Sequence, residues 1–329
     1  MGKGLRNRLV LLCTVLVLVL GGCASVVTRL PIPDTAQIDV ETEAQERLAF
    51  ARYLKMRKRL DKVSAPILTT NADLCTKTRD DFGITTHTEK SYPKHLRAAA
   101  KRRVAAGDTH TVLFVRDGRS SHGNGIKSGD ILIGNTGKPI STRDKSLQDT
   151  NILHVRRAGE DIYIQAQANR VCDYGIILKM SGVVNAYANG KSIIVTTAMM
   201  DFAGTDEELA LVVGHELAHN TMKHVRKAIW NTVISGFATR TTRPFESEAD
   251  YVGLYYMARA GYTLDNVEVF WKKLGVQHPK SIVRAKTHPV TPERLLAIRM
   301  AIEEIKTKRA AGKKLVPNFK PGQTPNYAQ

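Results

Sequence analysis

The chain has 329 residues, 43% of them hydrophobic, enough for about two domains with a sizeable core. It carries 49 Lys and Arg against 31 Asp and Glu, a formal charge of +18 at pH 7. Aromatic residues make up only 6% and no nucleic-acid motif appears, so nucleic acid is set aside as a partner; the positive balance fits contact with anionic lipid or lipopolysaccharide, or solubility alone.

At the N-terminus, Lys3, Arg6 and Arg8 precede an uncharged run from Leu9 to Leu20. A basic start followed by a short apolar run predicts a signal peptide over residues 1–22; the other reading is an uncleaved anchor. The run ends in Leu20-Gly21-Gly22-Cys23, which resembles a bacterial lipoprotein box. That resemblance implies cleavage before Cys23, lipidation of its side chain and stable anchoring by several acyl chains. Ala24 stands where an Asp would resemble an inner-membrane retention signal, so the periplasmic face of the outer membrane is expected. Residues 23–40, with Pro31 and Pro33, read as a tether. Cys13 goes with the signal and Cys23 carries lipid. Cys75 and Cys172 remain as an even pair in an oxidising compartment, which predicts a disulfide worth about 4–5 kcal/mol; two free buried thiols are the alternative.

Residues 41–75 read as an amphipathic helical segment, with Leu48, Phe50, Ala51, Leu54, Met56 and Leu60 on its apolar side, expected to pack on the 172–308 domain; lying near the membrane surface is the other reading. Within 76–171, Tyr92 to Val104 reads as one short helix and Thr111 to Val115 as a strand. Gly125-Ile126-Lys127-Ser128-Gly129-Asp130 then turns into the apolar Ile131-Leu132-Ile133, and Ile162 to Ala168 supplies a late strand. This pattern resembles a PDZ domain, which implies a β-rich insertion able to take a peptide as an added strand. Thr136 precedes Gly137 where PDZ domains usually carry Asn-Gly, so a small β-module covering the active site is the other reading.

Beyond Cys172, two apolar strands flank Asn189-Gly190, a hairpin signal. Thr205 with Glu208 marks a helix start, and Leu209, Val212, Val213, Leu217 and Met222 continue at helical spacing. Inside that helix sits His215-Glu216-Leu217-Ala218-His219. A four-residue step stacks both imidazoles on one face, where they can hold one metal ion, and Glu216 is placed to take a proton from a metal-bound water. Paired histidines also occur as surface or satisfied core residues, but an apolar helix makes their burial costly without a shared purpose. The short-spaced position for a third ligand is Val225, and His224 falls off it. Glu246 opens a second apolar helix through Tyr251, Leu254, Tyr255 and Met257, with Asp250 one turn on. One acid can ligate while the other holds an imidazole from behind; helix N-terminal charge is the alternative.

His-Glu-x-x-His, Glu246-x-Glu248-Ala249-Asp250, Ala260-Gly261-Tyr262, Thr287-His288-Pro289 and Arg294 together resemble the zinc metallopeptidases of the CAAX prenyl endopeptidase and HtpX family, of gluzincin type. The periplasmic lipoprotein members are the nearer match. The resemblance implies an α+β protein: a mostly helical zincin-type peptidase domain over 172–308 with a small β-hairpin or sheet, plus the PDZ-like module. It implies one Zn²⁺ per chain on His215, His219 and Glu246, with Glu216 as general base. It also places the 183–196 hairpin beside the cleft, where the Asn185 region aligns substrate backbone. Asp250 is expected to orient a ligand histidine. Arg294 and His288 are expected as regulatory or substrate contacts, His288 alternatively as an inhibitory zinc ligand or a helix cap. The apolar stretch 226–244, interrupted at Ser235-Gly236, reads as a lid, a membrane-touching loop or a core hairpin, with a helix partly covering the cleft as the expectation. Residues 309–329, with Lys313, Lys314 and several prolines, read as a disordered basic tail. The implied activity is endoproteolysis of misfolded or stalled envelope proteins. The alternative is a chaperone for outer-membrane proteins that cuts little, working with the outer-membrane assembly machinery.

Overall fold

The computed structural model describes residues 28–116, 124–227, 243–277 and 292–321. Cys23, the signal segment, most of the 226–244 stretch and His288 lie outside the described residues. Helix α1 spans Thr35–Thr70. It begins earlier than expected, inside the supposed tether, because Asp34 and Gln37 bond reciprocally: Gln37 N donates to Asp34 Oδ1 (2.8 Å) and Asp34 N to Gln37 Oε1 (3.1 Å). From Phe50 onward α1 buries Phe50, Tyr53, Leu60, Val63 and Ile67 in the main core. Arg59 on the same helix reaches Asp206 Oδ1 (2.9 Å) and the carbonyl of Met200 (3.1 Å), docking α1 on the start of the helix that carries His215.

Strand β1 (Thr78–Asp81) pairs antiparallel with β7 (Asn169–Cys172), and these two strands bracket the inserted module. The disulfide Cys75–Cys172 closes the same neck, with Cα atoms 5.5 Å apart. Between them, helix α2 (Arg97–Val104) ends at Ala105, whose φ is +51°. Strands β2 (Ile84–His87), β3 (Thr111–Val115), β4 (Ile131–Ile133), β5 (Ile152–Arg157) and β6 (Glu160–Gln165) form one antiparallel sheet in chain order. Alternation puts Leu153, Val155 and Ile164 into a small separate core with Val112 and Leu132. The Gly-x-x-x-Gly-Asp turn is held by buried Asp130, which accepts from Lys127 N (2.8 Å) and from both forks of Arg157 (2.7 and 2.8 Å). No α-helix lies among the described residues between 111 and 172. The module is thus a five-stranded meander.

After β7 comes a three-stranded sheet in the order β8 (Gly175–Lys179), β10 (Ser192–Thr196), β9 (Ala186–Ala188). β10 is parallel to β8 and antiparallel to β9, and Gly190 turns the hairpin at φ +85°. Helices α3 (Thr197–Phe202), α4 (Asp206–Thr221), α5 (Arg243–Arg259), α6 (Val267–Gln277) and α7 (Pro292–Ala310) follow. Leu209, Val213, Leu217, Tyr255, Tyr256 and Phe270 fill the core between them. The protein is accordingly of mixed α+β class. Among the described residues no helix is long and apolar enough to cross a membrane.

The expectation of a disordered tail is corrected over its described part. Residues 309–310 end α7, and Leu315, Val316 and Phe319 then pack against the core. Asn318 fastens this strap, donating from N to Tyr251 Oη (2.9 Å) and from Nδ2 to Glu304 Oε1 (2.9 Å). Lys308 Nζ holds the Val316 carbonyl (2.8 Å). The basic composition hid a segment whose apolar residues face inward.

Candidate metal centre

Thr205 caps α4 by accepting from Glu208 N (3.1 Å), while the Glu208 carboxylate takes Gly204 N (2.7 Å). α4 then crosses α5 with almost no side-chain spacing. A Cβ on Gly253 would stand 2.8 Å from His215 N and 2.9 Å from His215 Cα, and one on Gly214 would stand 2.8 Å from Gly253 O. Only two glycines permit this approach, and the approach brings α5 carboxylates to α4 imidazoles.

At the crossing, His215 Nε2 and His219 Nε2 lie 3.0 Å apart. Glu246 Oε2 is 3.6 Å from the first and Oε1 is 3.4 Å from the second. All three residues are buried. Donors about 2.0–2.1 Å from a tetrahedral zinc stand about 3.3 Å from one another, so the three atoms present fit such an ion with little adjustment. The donor set, two imidazoles and one carboxylate, is that of a catalytic zinc site with one position open.

Each imidazole is held from behind. His215 Nδ1 lies 2.9 Å from Asp250 Oδ1, and Arg294 grips the same carboxylate through Nε (2.5 Å) and Nη2 (2.7 Å). The Arg294 guanidinium also stacks 3.9 Å above the Trp271 ring. On the other side, His219 Nδ1 lies 3.0 Å from His224 Nδ1, and His224 Nε2 lies 2.6 Å from Glu248 Oε2. Glu248 only accepts, so His224 Nε2 carries the hydrogen and its Nδ1 is a lone pair. His219 Nδ1 therefore donates, as His215 Nδ1 does to Asp250. Both Nε2 lone pairs are left pointing at the centre.

Burial opposes charge on His215, yet bonds to Asp250 and Glu246 outweigh it and push its pKa up to about 10, so a metal ion bound at Nε2 has a proton to displace there. Burial likewise opposes ionisation of Asp250, but Arg294 and His215 hold it below the usual carboxylate range. Burial would discharge Arg294, and Asp250, Glu246 and Glu216 keep it protonated. The cluster thus has the negative surplus that a cation satisfies.

Among the sequence-derived residues, the structure gathers His215, Glu216, His219, Glu246, Asp250 and Arg294. Glu216 is buried beside His215 at 3% exposure. Arg294, 5% exposed, clamps Asp250. Asn185 is tied through its backbone to Thr196, with N donating to Thr196 Oγ1 (3.2 Å) and O accepting from it (2.8 Å). These bonds close the hairpin and do not reach the cluster.

His224, which falls off the short-spaced ligand position, stands behind His219 instead. Lys223 has φ +59°, which turns the chain after α4 and swings His224 beneath His219, where it stacks on Phe245 (4.8 Å). Asn220 was also overlooked. Its Oδ1 accepts from Gly190 N (2.7 Å) and its Nδ2 donates to Ser192 O (3.1 Å), locking the hairpin turn to the end of α4. No periodicity signals either contact, although a polar Asn inside an apolar helix was a visible clue.

A model of Peptidase family M48 matches residues 153–233 and 228–302. The mitochondrial metalloendopeptidase OMA1 of Arabidopsis thaliana is 28% identical over 159 residues, covering 41% of this chain and 33% of the relative. The mitochondrial metalloendopeptidase OMA1 of Schizosaccharomyces pombe is 24% identical over 147 residues, covering 36% of this chain and 44% of the relative. The chain spans less than half the length of either relative. Family and relatives together support a zinc metalloendopeptidase.

Proposed function

We propose that this chain, which carries a Peptidase family M48 domain within residues 153–302, is a zinc endopeptidase that cuts misfolded or stalled envelope proteins. In this reading it works on the periplasmic side of the outer membrane, held by lipid on Cys23. The observation that carries the chemistry is the convergence of His215 Nε2, His219 Nε2 and Glu246 within 3.0–3.6 Å of one another. These residues would hold Zn²⁺, which would supply Lewis acidity for the scissile carbonyl and acidify water. Glu216 follows a ligand in sequence and lies in the same buried site, so its carboxylate takes the proton of the attacking water and returns it to the leaving amine. Asp250 and His224 keep the two imidazoles in the tautomer that presents Nε2 to the ion. The sheet module, in its PDZ-like reading, receives substrate peptide as an added strand at an edge such as β6, where Tyr163 is exposed.

The test pairs Glu216→Gln with unfolded casein. The variant is expected to keep stoichiometric zinc and to lose cleavage by about 10²–10⁴-fold, the usual size of general acid–base catalysis. Wild-type fragments should vanish with chelator. Cleavage that survives in Glu216→Gln rules out that carboxylate as the base. Delayed aggregation without any fragments moves the protein to the chaperone reading.

A further inference from the structure

A second concentration of charge lies away from the metal centre. Helix α1, strands β1 and β2, His110 and Arg116 on either side of β3, the 141–143 loop and the edge strand β8 enclose a cleft of about 510 Å³. Its wall carries Arg57, Arg79, Arg116, Arg143 and Lys191 against two acids, Asp61 and Asp81. Both acids are engaged by one guanidinium. Arg116 donates to Asp61 through Nε (2.7 Å) and Nη2 (2.9 Å), and to Asp81 through Nη1. Arg143 Nη1 is bound to Asp173 (2.8 Å) at the rim.

Among the described residues, Arg57 Nη1 and Arg79 Nε are buried without a hydrogen-bond partner. Arg79 Nη1 donates to the Asp80 carbonyl (2.9 Å), while Asp173 stands 3.6 Å from Nε and Asp81 stands 3.8 Å from Nη1, both beyond hydrogen-bonding geometry. Arg57 rests against the Tyr92 ring, at 5.5 Å. Burial pulls the Arg79 guanidinium below its usual range, with Arg143 and Arg116 adding to that pull against Asp81 and Asp173. A buried, unmet guanidinium N–H is costly, and a cluster of them in a cavity marks a place for a multiply charged anion. Arginine forks match tetrahedral oxyanions, and an excess of two positive charges, with Asp173 at the rim counted among the acids, favours phosphate over a single carboxylate.

We propose that this cleft binds a phosphate group, held by the guanidinium groups of Arg57 and Arg79 on its wall. The group belongs either to a free phosphate compound or to a lipid headgroup. The site stands independently of the peptidase reading.

The experiment titrates the purified full chain with inorganic phosphate at fixed ionic strength, and in a second arm with phosphatidylcholine vesicles doped with phosphatidate. Hydrogen bonds to charged groups predict that Arg57→Gln weakens binding roughly tenfold or more. Arg52→Gln, altering an exposed arginine of α1 outside the cleft, should leave it unchanged. Arg57→Lys keeps the charge and should restore part of the affinity, which guards against a mere folding defect. Arg57-dependent binding of inorganic phosphate assigns a free compound. Arg57-dependent vesicle binding without it assigns a headgroup. Absence of saturable binding in both arms, or equal binding by wild type and Arg57→Gln, overturns the proposal. The Arg57 dependence also separates this site from phosphate taken up at a zinc ion.

Discussion

The two imidazoles of the metal centre are steadied by relays of one design in two environments. Behind His215 stand Asp250 and Arg294, with side chains only 5% and 4% exposed. Behind His219 stand His224, at 3%, and Glu248, at 44%. Each relay ends in a charge, but the first charge is sealed in protein and the second is half in water. Coulombic attraction and desolvation both grow as the dielectric falls. The same hydrogen-bond pattern should therefore be a rigid strut on one side and an adjustable one on the other.

Breaking the sealed relay should have the largest effect. Asp250→Asn removes the carboxylate that Arg294 grips and leaves the buried guanidinium to Glu246 and Glu216, which costs up to about 3–5 kcal/mol of stability. It also loosens the tautomer of His215, so zinc affinity should fall by about 10–100-fold. Thermal unfolding and competition with a chelator measure the two losses. A variant that keeps both within error would mean that Asp250 does not orient His215.

Next comes the crossing on which both relays depend. Gly253→Ala places a methyl 2.8–3.0 Å from backbone atoms of His215 and Gly214, which cannot swing aside as a side chain can. The helices must part, at a cost of about 1–3 kcal/mol. Glu246 then stands farther from both histidines. Zinc affinity and stability should drop together, and casein cleavage with them. Unchanged zinc binding would show that the centre tolerates a wider crossing than the structure has.

Much of this centre was legible because helical periodicity is. His215 and His219 share a face by spacing alone, and Glu246 and Asp250 do likewise on the second apolar helix. What closes the centre was not legible. The turn that returns His224 depends on a left-handed Lys223, a residue with no special preference for it. The crossing depends on two glycines that read in sequence only as weak helix formers. Arg294 stood out as a motif residue, but only the fold shows that it faces Asp250 and Trp271. The 311–321 strap was misjudged because its anchor, Asn318, bonds to Tyr251 and Glu304, partners remote in composition from a basic tail. The arginine cleft draws on α1, β1, Arg116 after β3 and the 141–143 loop, four segments with no shared pattern. Local rules reach the ligands, whereas long-range contacts decide what surrounds them.

The half-exposed relay gives the smallest and most discriminating effect. Glu248→Gln keeps an oxygen to accept from His224 Nε2 and removes only the charge, so His224 keeps its tautomer and His219 its donor bond. What is lost is the carboxylate's charge beside the His224 ring, in a setting where water already screens. Zinc affinity should fall only a few-fold, well short of the Asp250→Asn loss. The deficit should shrink further at high salt, while that of Asp250→Asn should not. Chelator competition with both variants at low and high ionic strength reads this directly. Equal losses in the two variants, or losses equally blind to salt, would mean that burial does not set the strength of the two struts, and the distinction between them would fall.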